Sequence, residues 1–391
     1  SSRELFFLVF EDLLKLAEDE KVDLLLLAGD ILESQKIAGD DIKRIRDLLK
    51  RPRSFGILAV AGNHDPLNEN SPWPELAEGL PDFYLFSSQE VERIDIPSFD
   101  LSIYGTSFAR LYEAPGLMPC QASLGEVRTT LGFKGLGKGL TKGRFIHDPK
   151  TPPLGKRLGL IHGDLGGEMT LEQASQGHSY NRLTPDDFRR SDLHYVALGH
   201  FHTQSEFYEA GMTTYAYSGT PQGAGFDELG ERGVFLGEWT GRKPEMKPYT
   251  LCRSRYELVK VPLTSITDDA AAATRILETL QEQDEAHYQD HRYKIQLVGE
   301  RDEAYRPDPT AIHMRLDSKL AYSEIQDLSK PALDIARLVQ ENTLRGAFVK
   351  ALQDAKSSFD DELMEDQKDE LFDLALRYGL EGLSTEGEII L

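Results

Sequence analysis

Four short apolar runs, each bounded by polar or turn-forming residues, end in side chains that bind metal ions. The runs lie at residues 24–28, 57–61, 158–161 and 195–198. Runs of this length between turn signals are typical of buried strands. Because open α/β sheets place their ligands at the carboxyl ends of strands, the sequence predicts an α/β layer fold with polar side chains gathered at one edge.

The residues that end the four runs offer carboxylate, amide and imidazole groups. In chain order they are Gly29-Asp30, Gly62-Asn63-His64-Asp65, His162, and Gly199-His200-Phe201-His202. Such a mixed set of ligands suits manganese, iron or zinc. Each group taken singly has an ordinary structural explanation, but core packing hardly explains all four in a chain with ten histidines. We expect the preceding glycines to let the backbone turn sharply toward the metal.

The pattern of the chain predicts three parts. Residues 1–250 alternate helical segments with short strands and form the large α/β domain. Residues 251–320 read as a small α/β cap domain, with strands at 256–261 and 293–298 around a helix at 270–283. Residues 321–391 are helical in pattern and increasingly acidic, and we interpret them as a region that docks a partner.

Composition bounds the class of protein. Hydrophobic residues make up 40% and charged residues 28% of the 391-residue chain, as in ordinary globular proteins. The sequence has no apolar run near the roughly 18 residues of a membrane span, so we expect a cytoplasmic protein with no membrane partner. The formal net charge of -22 opposes binding of a polyanion, and any nucleic-acid role must use local positive patches or bound cations.

One segment has the opposite charge. Residues 128–157 contain eight lysines and arginines and a single acidic residue, Asp148, with several glycines between them. Two interpretations stay open: a flexible basic loop that contacts DNA, or a solvated linker with no ligand.

The series formed by Asp30, GNHD at residues 62–65, His162 and GHxH at residues 199–202 resembles the calcineurin-like metallophosphoesterase superfamily. The resemblance covers about residues 1–250 and implies a β-sandwich flanked by helices. It implies two divalent metal ions, with Mn²⁺ expected and Mg²⁺, Fe²⁺ or Zn²⁺ as alternatives. In that family Asp30 would bridge both ions, the second would be held by Asn63, His162 and His200, and His202 would return to the first.

The same resemblance assigns two catalytic roles. His64 would stabilise or protonate the leaving oxygen, and Asp65 would orient His64. Two cations about 3.5–4 Å apart activate a hydroxide and stabilise both the attacking and the leaving oxygens of a phosphoryl group. The expected reaction is therefore hydrolysis of a phosphoester without a covalent enzyme intermediate.

The sequence departs from the family at its start. Members of the superfamily begin with a D-x-H motif at the end of a first strand, which supplies two ligands of the first metal. No such motif precedes Asp30. We expect that this strand was removed or left out ahead of Ser1; without it the first metal would keep only Asp30 and His202, and activity would be weak or absent.

Further segments resemble bacterial DNA-repair exonucleases of the SbcD/YhaO type. They are YVALGHFH at residues 195–202, YSGTPQG at 217–223, ELGERG at 228–233, TLRGAFV at 343–349 and LRYGL at 376–380. This resemblance implies DNA as substrate, with a second copy of the chain and an SMC-like coiled-coil ATPase as partners.

The function predicted from the sequence is thus a metal-dependent DNA exonuclease or endonuclease subunit of DNA repair. Two alternatives stay open. The first is a phosphodiesterase or phosphatase of the same fold that acts on small nucleotides. The second is a non-catalytic DNA-end scaffold subunit, which a true absence of the D-x-H motif would favour.

Overall fold

The computed structural model describes residues 2–32, 38–80, 82–87, 90–110, 127–133, 140–142, 152–166, 181–356 and 365–384. The chain divides into two compact units. The first comprises Ser1–Glu257 with Asp290–Arg292, and the second comprises Leu258–Gln289 with Tyr293–Leu391. Among the described residues, every helix is too short or too polar to span a lipid bilayer.

The first unit is built mainly from strands. In chain order these are β1 Leu24–Ala28, β2 Gly56–Val60, β3 Phe83–Leu85, β4 Glu92–Ile96, β5 Leu101–Gly105, β6 Val127–Phe133, β7 Leu140–Lys142, β8 Lys156–His162, β9 Asp164–Leu165, β10 Arg182–Leu183, β11 Tyr195–Gly199, β12 Tyr208–Ala210, β13 Thr213–Tyr217, β14 Gly233–Glu238 and β15 Glu245–Thr250. Its helices are α1 Ser2–Asp19, α2 Gly39–Lys50, α3 Trp73–Ala77 and α4 Pro185–Ser191, with a 3₁₀ turn at Pro97–Phe99.

These strands form two principal sheets. The smaller sheet has three parallel strands in the order β1-β2-β3, and the larger has eight in the order β12-β13-β11-β8-β5-β4-β6-β7. Two short pairs, β9 with β10 and β14 with β15, complete the unit.

Strand β2 shows why the apolar runs are continuous. Ile57 and Ala59 pack with the inner side chains of α1 and α2, whereas Leu58 and Val60 pack with side chains of the larger sheet. Successive side chains of a strand point to opposite faces of the sheet, so a strand that is buried on both faces requires apolar residues at every position. Each buried aliphatic side chain stabilises the fold by about 1.5–3 kcal/mol. The predicted α/β fold, a sandwich flanked by helices, is confirmed.

Helix α4 begins at a capping box. The Thr184 hydroxyl accepts the backbone N–H of Asp187, and the Asp187 carboxylate accepts the backbone N–H of Thr184 at 2.8 Å. These reciprocal bonds satisfy donors that a helix start leaves unpaired. They place Phe188 of α4 on β13, where its ring stacks on Tyr215 with centroids 3.8 Å apart.

The second unit contains the cap-like elements predicted after residue 250. The strands and helices that lie wholly or mostly in this unit are β16 Tyr256–Pro262, α5 Asp269–Gln283, β17 Arg292–Val298, β18 Glu300–Arg301, α6 Pro309–Leu316, β19 Tyr322–Asp327, β20 Lys330–Pro331, α7 Ile335–Gln340, α8 Leu344–Lys356 and α9 Glu365–Ser384. The sheet β16-β17-β19 packs Val261, Ile295 and Leu297 against α5 and α6. Residues on both sides of position 320 belong to this unit. The domain boundary predicted at residue 320 therefore stays a prediction.

Arg377 fastens α9 within the second unit. Its guanidinium bonds Asp373 at 2.7 Å on the same helix and Glu300 of β18 at 2.6 Å. The inner side of α9 contributes Phe372, Leu376 and Leu380 to a small core shared with α7 and α8. The predicted carboxyl-terminal helices are therefore a packed element.

The described parts of the basic segment are mostly strands, whereas the rest of the segment lies outside the described residues. Strands β6 and β7 form an antiparallel hairpin in which Leu131 pairs with Lys142. Lys156 and Arg157 belong to β8, where Lys156 donates to the carbonyl of Trp239 at 2.8 Å and Arg157 pairs with Asp192. These two cations serve internal contacts. Lys134, Lys138, Arg144 and Lys150 lie outside the described residues.

A buried ion pair lies on β4 of the larger sheet. Arg93 of β4 donates to Asp95 through Nε at 2.9 Å and through a terminal nitrogen at 2.8 Å. The Ser102 hydroxyl donates to Asp95 at 2.6 Å, and the carbonyl of Pro152 accepts from Arg93 at 2.8 Å. A buried ion pair is tolerated only when such additional bonds satisfy its polar atoms.

Asp95→Ala is expected to lower the free energy of unfolding by about 3–5 kcal/mol, because the buried guanidinium loses its carboxylate. The matched control is Glu209→Ala, which removes an exposed pair with Lys243 and should change stability by at most about 1 kcal/mol. Urea denaturation followed by circular dichroism measures both. Equal effects of the two substitutions would contradict the structural role of the buried pair.

Candidate metal centre

The predicted ligands gather at the carboxyl ends of parallel strands from both sheets. In the smaller sheet, Ala28 at the end of β1 pairs with Val60 at the end of β2. In the larger sheet, Gly199 at the end of β11 pairs with His162 at the end of β8. The segments that leave these four strands therefore emerge on one side of the sandwich.

Three side chains form a compact group of donors. The ligand atoms of Asp30, His162 and His200 all lie within 4.8 Å of one another. The Nε2 atom of His162 is 3.2 Å from Asp30 Oδ2 and 2.8 Å from Asn63 Oδ1. Nδ1 of His200 is 3.3 Å from the same amide oxygen of Asn63. Four of the five predicted metal ligands thus converge, although their role as ligands stays a prediction.

The hydrogen bonds of His162 indicate what the group can hold. Its Nδ1 lies 2.8 Å from the carbonyl oxygen of Ala28, and a carbonyl can only accept, so Nδ1 carries the proton. In the neutral ring Nε2 then presents a lone pair to the oxygens of Asp30 and Asn63. The lone pairs of His162 Nε2, the Asp30 carboxylate and the Asn63 amide oxygen repel one another, and a cation placed among them removes that repulsion.

The electrostatics of the other two members agree with a cation. Burial, together with neighbouring His162, lowers the pKa of His200 to about 4, so its imidazole is neutral at pH 7 and able to bind a metal. Burial disfavours ionisation of Asp30, but neighbouring His162 and the hydrogen bond from the backbone N–H of His64 outweigh that effect and lower its pKa. One carboxylate, one amide oxygen and imidazole nitrogens fit a divalent transition metal.

His202 lies two residues beyond His200 and contacts a carboxylate. Its Nδ1 is hydrogen bonded to Glu228, whose side chain is buried. The second carboxylate oxygen of Glu228 accepts the backbone N–H of Ala224 at 2.6 Å. The hydrogen bond that His202 donates to the Glu228 carboxylate raises the pKa of His202. A carboxylate on one ring nitrogen orients the other nitrogen of a histidine toward a metal.

The two predicted catalytic residues have different surroundings. The His64 side chain is exposed, and its backbone N–H donates to Asp30 Oδ1 at 2.8 Å. The buried Asp65 carboxylate accepts four backbone N–H groups, from Gly62, Asp30, Ile31 and Leu32. Burial and the charge of Asp30 raise the pKa of Asp65 to about 6, against the N–H donors. Its predicted role in orienting His64 stays a prediction.

The glycines around the centre are needed chiefly for space. A Cβ on Gly62 would lie 2.2 Å from Asp30 Oδ1, and one on Gly199 would lie 1.7 Å from the carbonyl oxygen of Ala28. Among these glycines only Gly29 has a positive φ, of 87°, and its Cβ would lie 2.5 Å from His162 Nδ1. The expected sharp turn therefore applies to Gly29, whereas Gly62 and Gly199 allow close approach of neighbouring segments.

Two supporting residues were not predicted from the sequence. Glu228 appeared only as part of a segment resembling a subfamily, with no link to His202. Asn181 is fully buried with φ of 50°, and its side-chain amide donates to the carbonyl oxygen of His162 at 2.9 Å. Neither residue carries a local signal in the sequence, because each acts on a residue 19 or more positions away.

Glu228→Gln is expected to weaken Mn²⁺ binding about 10- to 100-fold, because the neutral amide orients His202 less strongly. Free Mn²⁺ measured by electron paramagnetic resonance gives the affinity without relying on turnover. Glu231→Gln is the matched control, since exposed Glu231 lies three residues away and pairs with Arg255. Unchanged affinity in Glu228→Gln would refute the orienting role.

Comparison with known proteins identifies a family match over the part of the chain that contains the predicted site. The family model described as calcineurin-like phosphoesterase matches residues 6–204, a range that includes all seven predicted site residues. The chain is also similar to a protein of Bacillus subtilis (strain 168) named uncharacterized metallophosphoesterase YhaO, with 29% identity over 244 residues. That match covers 60% of this chain and 50% of YhaO. The chain thus spans about half the length of the curated relative.

Proposed function

This chain belongs to the calcineurin-like phosphoesterase family, and from that membership we propose that it is a metal-dependent nuclease subunit that hydrolyses phosphodiester bonds of DNA. The observation that carries the proposal is the convergence of Asp30, His162 and His200 with the amide oxygen of Asn63. Divalent cations at such a site supply Lewis-acid catalysis and charge neutralisation at a phosphoryl group. We propose Mn²⁺ as the native ion.

We assign two roles to the residues of the site, metal binding and proton donation. Asp30, Asn63, His162, His200 and His202 would hold the cations. His64 is exposed beside them and donates its backbone N–H, not its side chain, to Asp30. Its imidazole would give a proton to the leaving oxygen of the cleaved ester.

DNA as the substrate rests on residues outside the ligand set. The segments at 195–202, 217–223 and 228–233 resemble DNA-repair exonucleases, and the last contributes Glu228 to the site. Because the net charge of -22 repels DNA at long range, the phosphate backbone would be bound through cations at the metal centre. A role in DNA repair would place the protein in the bacterial cytoplasm.

The test is digestion of a labelled DNA duplex with Mn²⁺. Wild type should degrade the duplex, a chelator should abolish degradation, and His64→Ala should lower the rate about 10²- to 10⁴-fold through loss of the general acid. Alanine keeps the backbone N–H that donates to Asp30, so Mn²⁺ binding should persist in this variant. His313→Ala, which alters a histidine bonded to Ser323 in the second unit, is the control.

Other outcomes would select the alternatives. Turnover of aryl phosphates or cyclic nucleotides with intact DNA would replace the nuclease by a small-nucleotide phosphodiesterase. No turnover in either assay by the full-length gene product would favour a non-catalytic scaffold subunit.

We also propose that the carboxyl-terminal helices dock an SMC-like coiled-coil ATPase, and that a second copy of the chain is a further partner. Leu371, Leu374 and Tyr378 of α9 are spaced i, i+3, i+7 and are all exposed, Tyr378 at 68%. Phe372, Leu376 and Leu380 cover the opposite, packed side of the same helix. An exposed apolar stripe with helical spacing suits contact with another helix.

Leu374→Asp is expected to abolish co-purification with a coiled-coil ATPase of the SMC type from the same organism, because a charge would enter the helix contact. Leu328→Asp is the control, since Leu328 is similarly exposed but lies outside α9. Retention of the ATPase by Leu374→Asp would contradict docking through this stripe. Sedimentation of each variant separately reports the self-association.

A further inference from the structure

Phe201 is an exposed aromatic side chain between two predicted metal ligands. It follows His200, precedes His202, and is 43% exposed. His200 itself has φ of 123°, a region that non-glycine residues rarely adopt. Such backbone strain is concentrated at functional sites. The strained turn that brings His200 into the centre also leaves Phe201 at the surface beside it.

The ring of Phe201 is held from one side. Its centroid lies 4.8 Å from that of Tyr217 in an edge-to-face contact and 5.4 Å from that of His200. Tyr217 is buried, and its hydroxyl donates to the carbonyl of Gly163 at 2.7 Å and accepts from the N–H of Leu165 at 3.0 Å. Phe201 therefore rests on a fixed support and keeps much of its surface in solvent.

A second exposed aromatic ring packs on β13, the strand that contains Tyr217. Tyr208 of β12 is 43% exposed and lies directly opposite Tyr215 of β13, with ring centroids 5.5 Å apart. Tyr215 and Tyr217 are two residues apart, so they share one face of β13 at a spacing of about 7 Å. Phe201 and Tyr208 thus pack on successive same-face positions of one strand, with Phe201 at the end nearest the metal centre.

Resting on the proposed nuclease function, we propose that Phe201 is a stacking platform for an unpaired nucleobase beside the phosphodiester that is cleaved, and that Tyr208 receives the next base. Aromatic rings stack on every type of base, so this contact is independent of sequence. Bases within a duplex strand are stacked 3.4 Å apart and bury their faces, so a protein ring can stack only on a base that has left the duplex.

The charge of the chain favours such a contact. A net charge of -22 gives DNA no general attraction to the surface. Stacking adds affinity without requiring cationic side chains, and it depends little on salt, unlike phosphate contacts. Isolated exposed apolar residues are common on proteins, but these two pack on neighbouring same-face tyrosines of β13, which pairs with β11, the strand that ends before His200.

The test compares oligonucleotides that differ by one base. The substrates are a single-stranded oligonucleotide with and without an abasic nucleotide at the position next to the cut, assayed with Mn²⁺. Wild type should cleave the intact strand about 5- to 100-fold more efficiently in kcat/KM, the range expected for one stacked base. Phe201→Leu keeps an apolar side chain against Tyr217 but has no π face, so the ratio should fall close to one.

Two variants and one binding measurement sharpen the comparison. Phe201→Trp should retain the preference for the intact strand, and so should Tyr249→Ala, which removes an aromatic ring of matched exposure on β15. Fluorescence anisotropy with a labelled oligothymidylate, with Ca²⁺ replacing Mn²⁺, gives the affinity over a range of salt. Phe201→Leu should lower the affinity at every salt concentration and leave the salt slope unchanged, because no phosphate contact is lost.

The outcomes separate this inference from the function on which it rests. If wild type cleaves DNA but ignores the abasic substitution, or if Phe201→Leu keeps the wild-type ratio, the stacking platform is refuted and the nuclease stands. If wild type cleaves no oligonucleotide with Mn²⁺, the proposed function is refuted, and the stacking platform is refuted with it.

Discussion

The Asp65 carboxylate holds together the two loops on which the candidate metal centre depends. Its oxygens accept N–H groups of Asp30, Ile31 and Leu32 after β1 and of Gly62 after β2. Asp30 has φ of 52°, which costs a non-glycine residue free energy unless its surroundings enforce it. Because sheet pairing fixes β1 and β2, the hydrogen bonds of this carboxylate set the positions of the loops that follow these two strands.

That arrangement concentrates like charge. The carboxylates of Asp30 and Asp65 are close enough that the first contributes to raising the pKa of the second. Nearby His162 and His200 offer lone pairs, and neutral His200 brings no compensating positive charge at pH 7. Such a group of donors is poorly stabilised by itself and well stabilised by divalent cations. The chemistry expected of a phosphoesterase thus follows from the same proximity that brings these like charges together.

Support for the centre comes from parts of the chain that are remote in sequence. Glu228 bonds His202 across 26 residues, and Asn181 bonds the carbonyl of His162 across 19. The ring of Tyr217 packs against Phe201, and the Tyr217 hydroxyl is hydrogen bonded to the backbone of Gly163 and Leu165. The predicted ligands are therefore supported by buried polar groups from distant segments, which limits their motion.

The local pattern of the sequence determined the strands and the helices and predicted which side chains would gather. Ile57, Leu58, Ala59 and Val60 are all apolar because both faces of β2 are buried, and a run of that kind can be read without a structure. The position of Asp30, Asn63, His162 and His200 after such runs was likewise sufficient to predict that they meet, since parallel strands share one carboxyl edge.

Only the tertiary structure decided what depends on contacts between distant segments. It placed Asp65 on four backbone N–H groups, turned Lys156 and Arg157 toward Trp239 and Asp192, and gave Gly62 and Gly199 their role in close packing. It also brought Glu228 to His202 and left Phe201 exposed beside the ligands. The physical reason is that periodicity and motif report the environment along one segment, whereas hydrogen-bond partners, free space and exposure are set by whichever other segments the fold brings near.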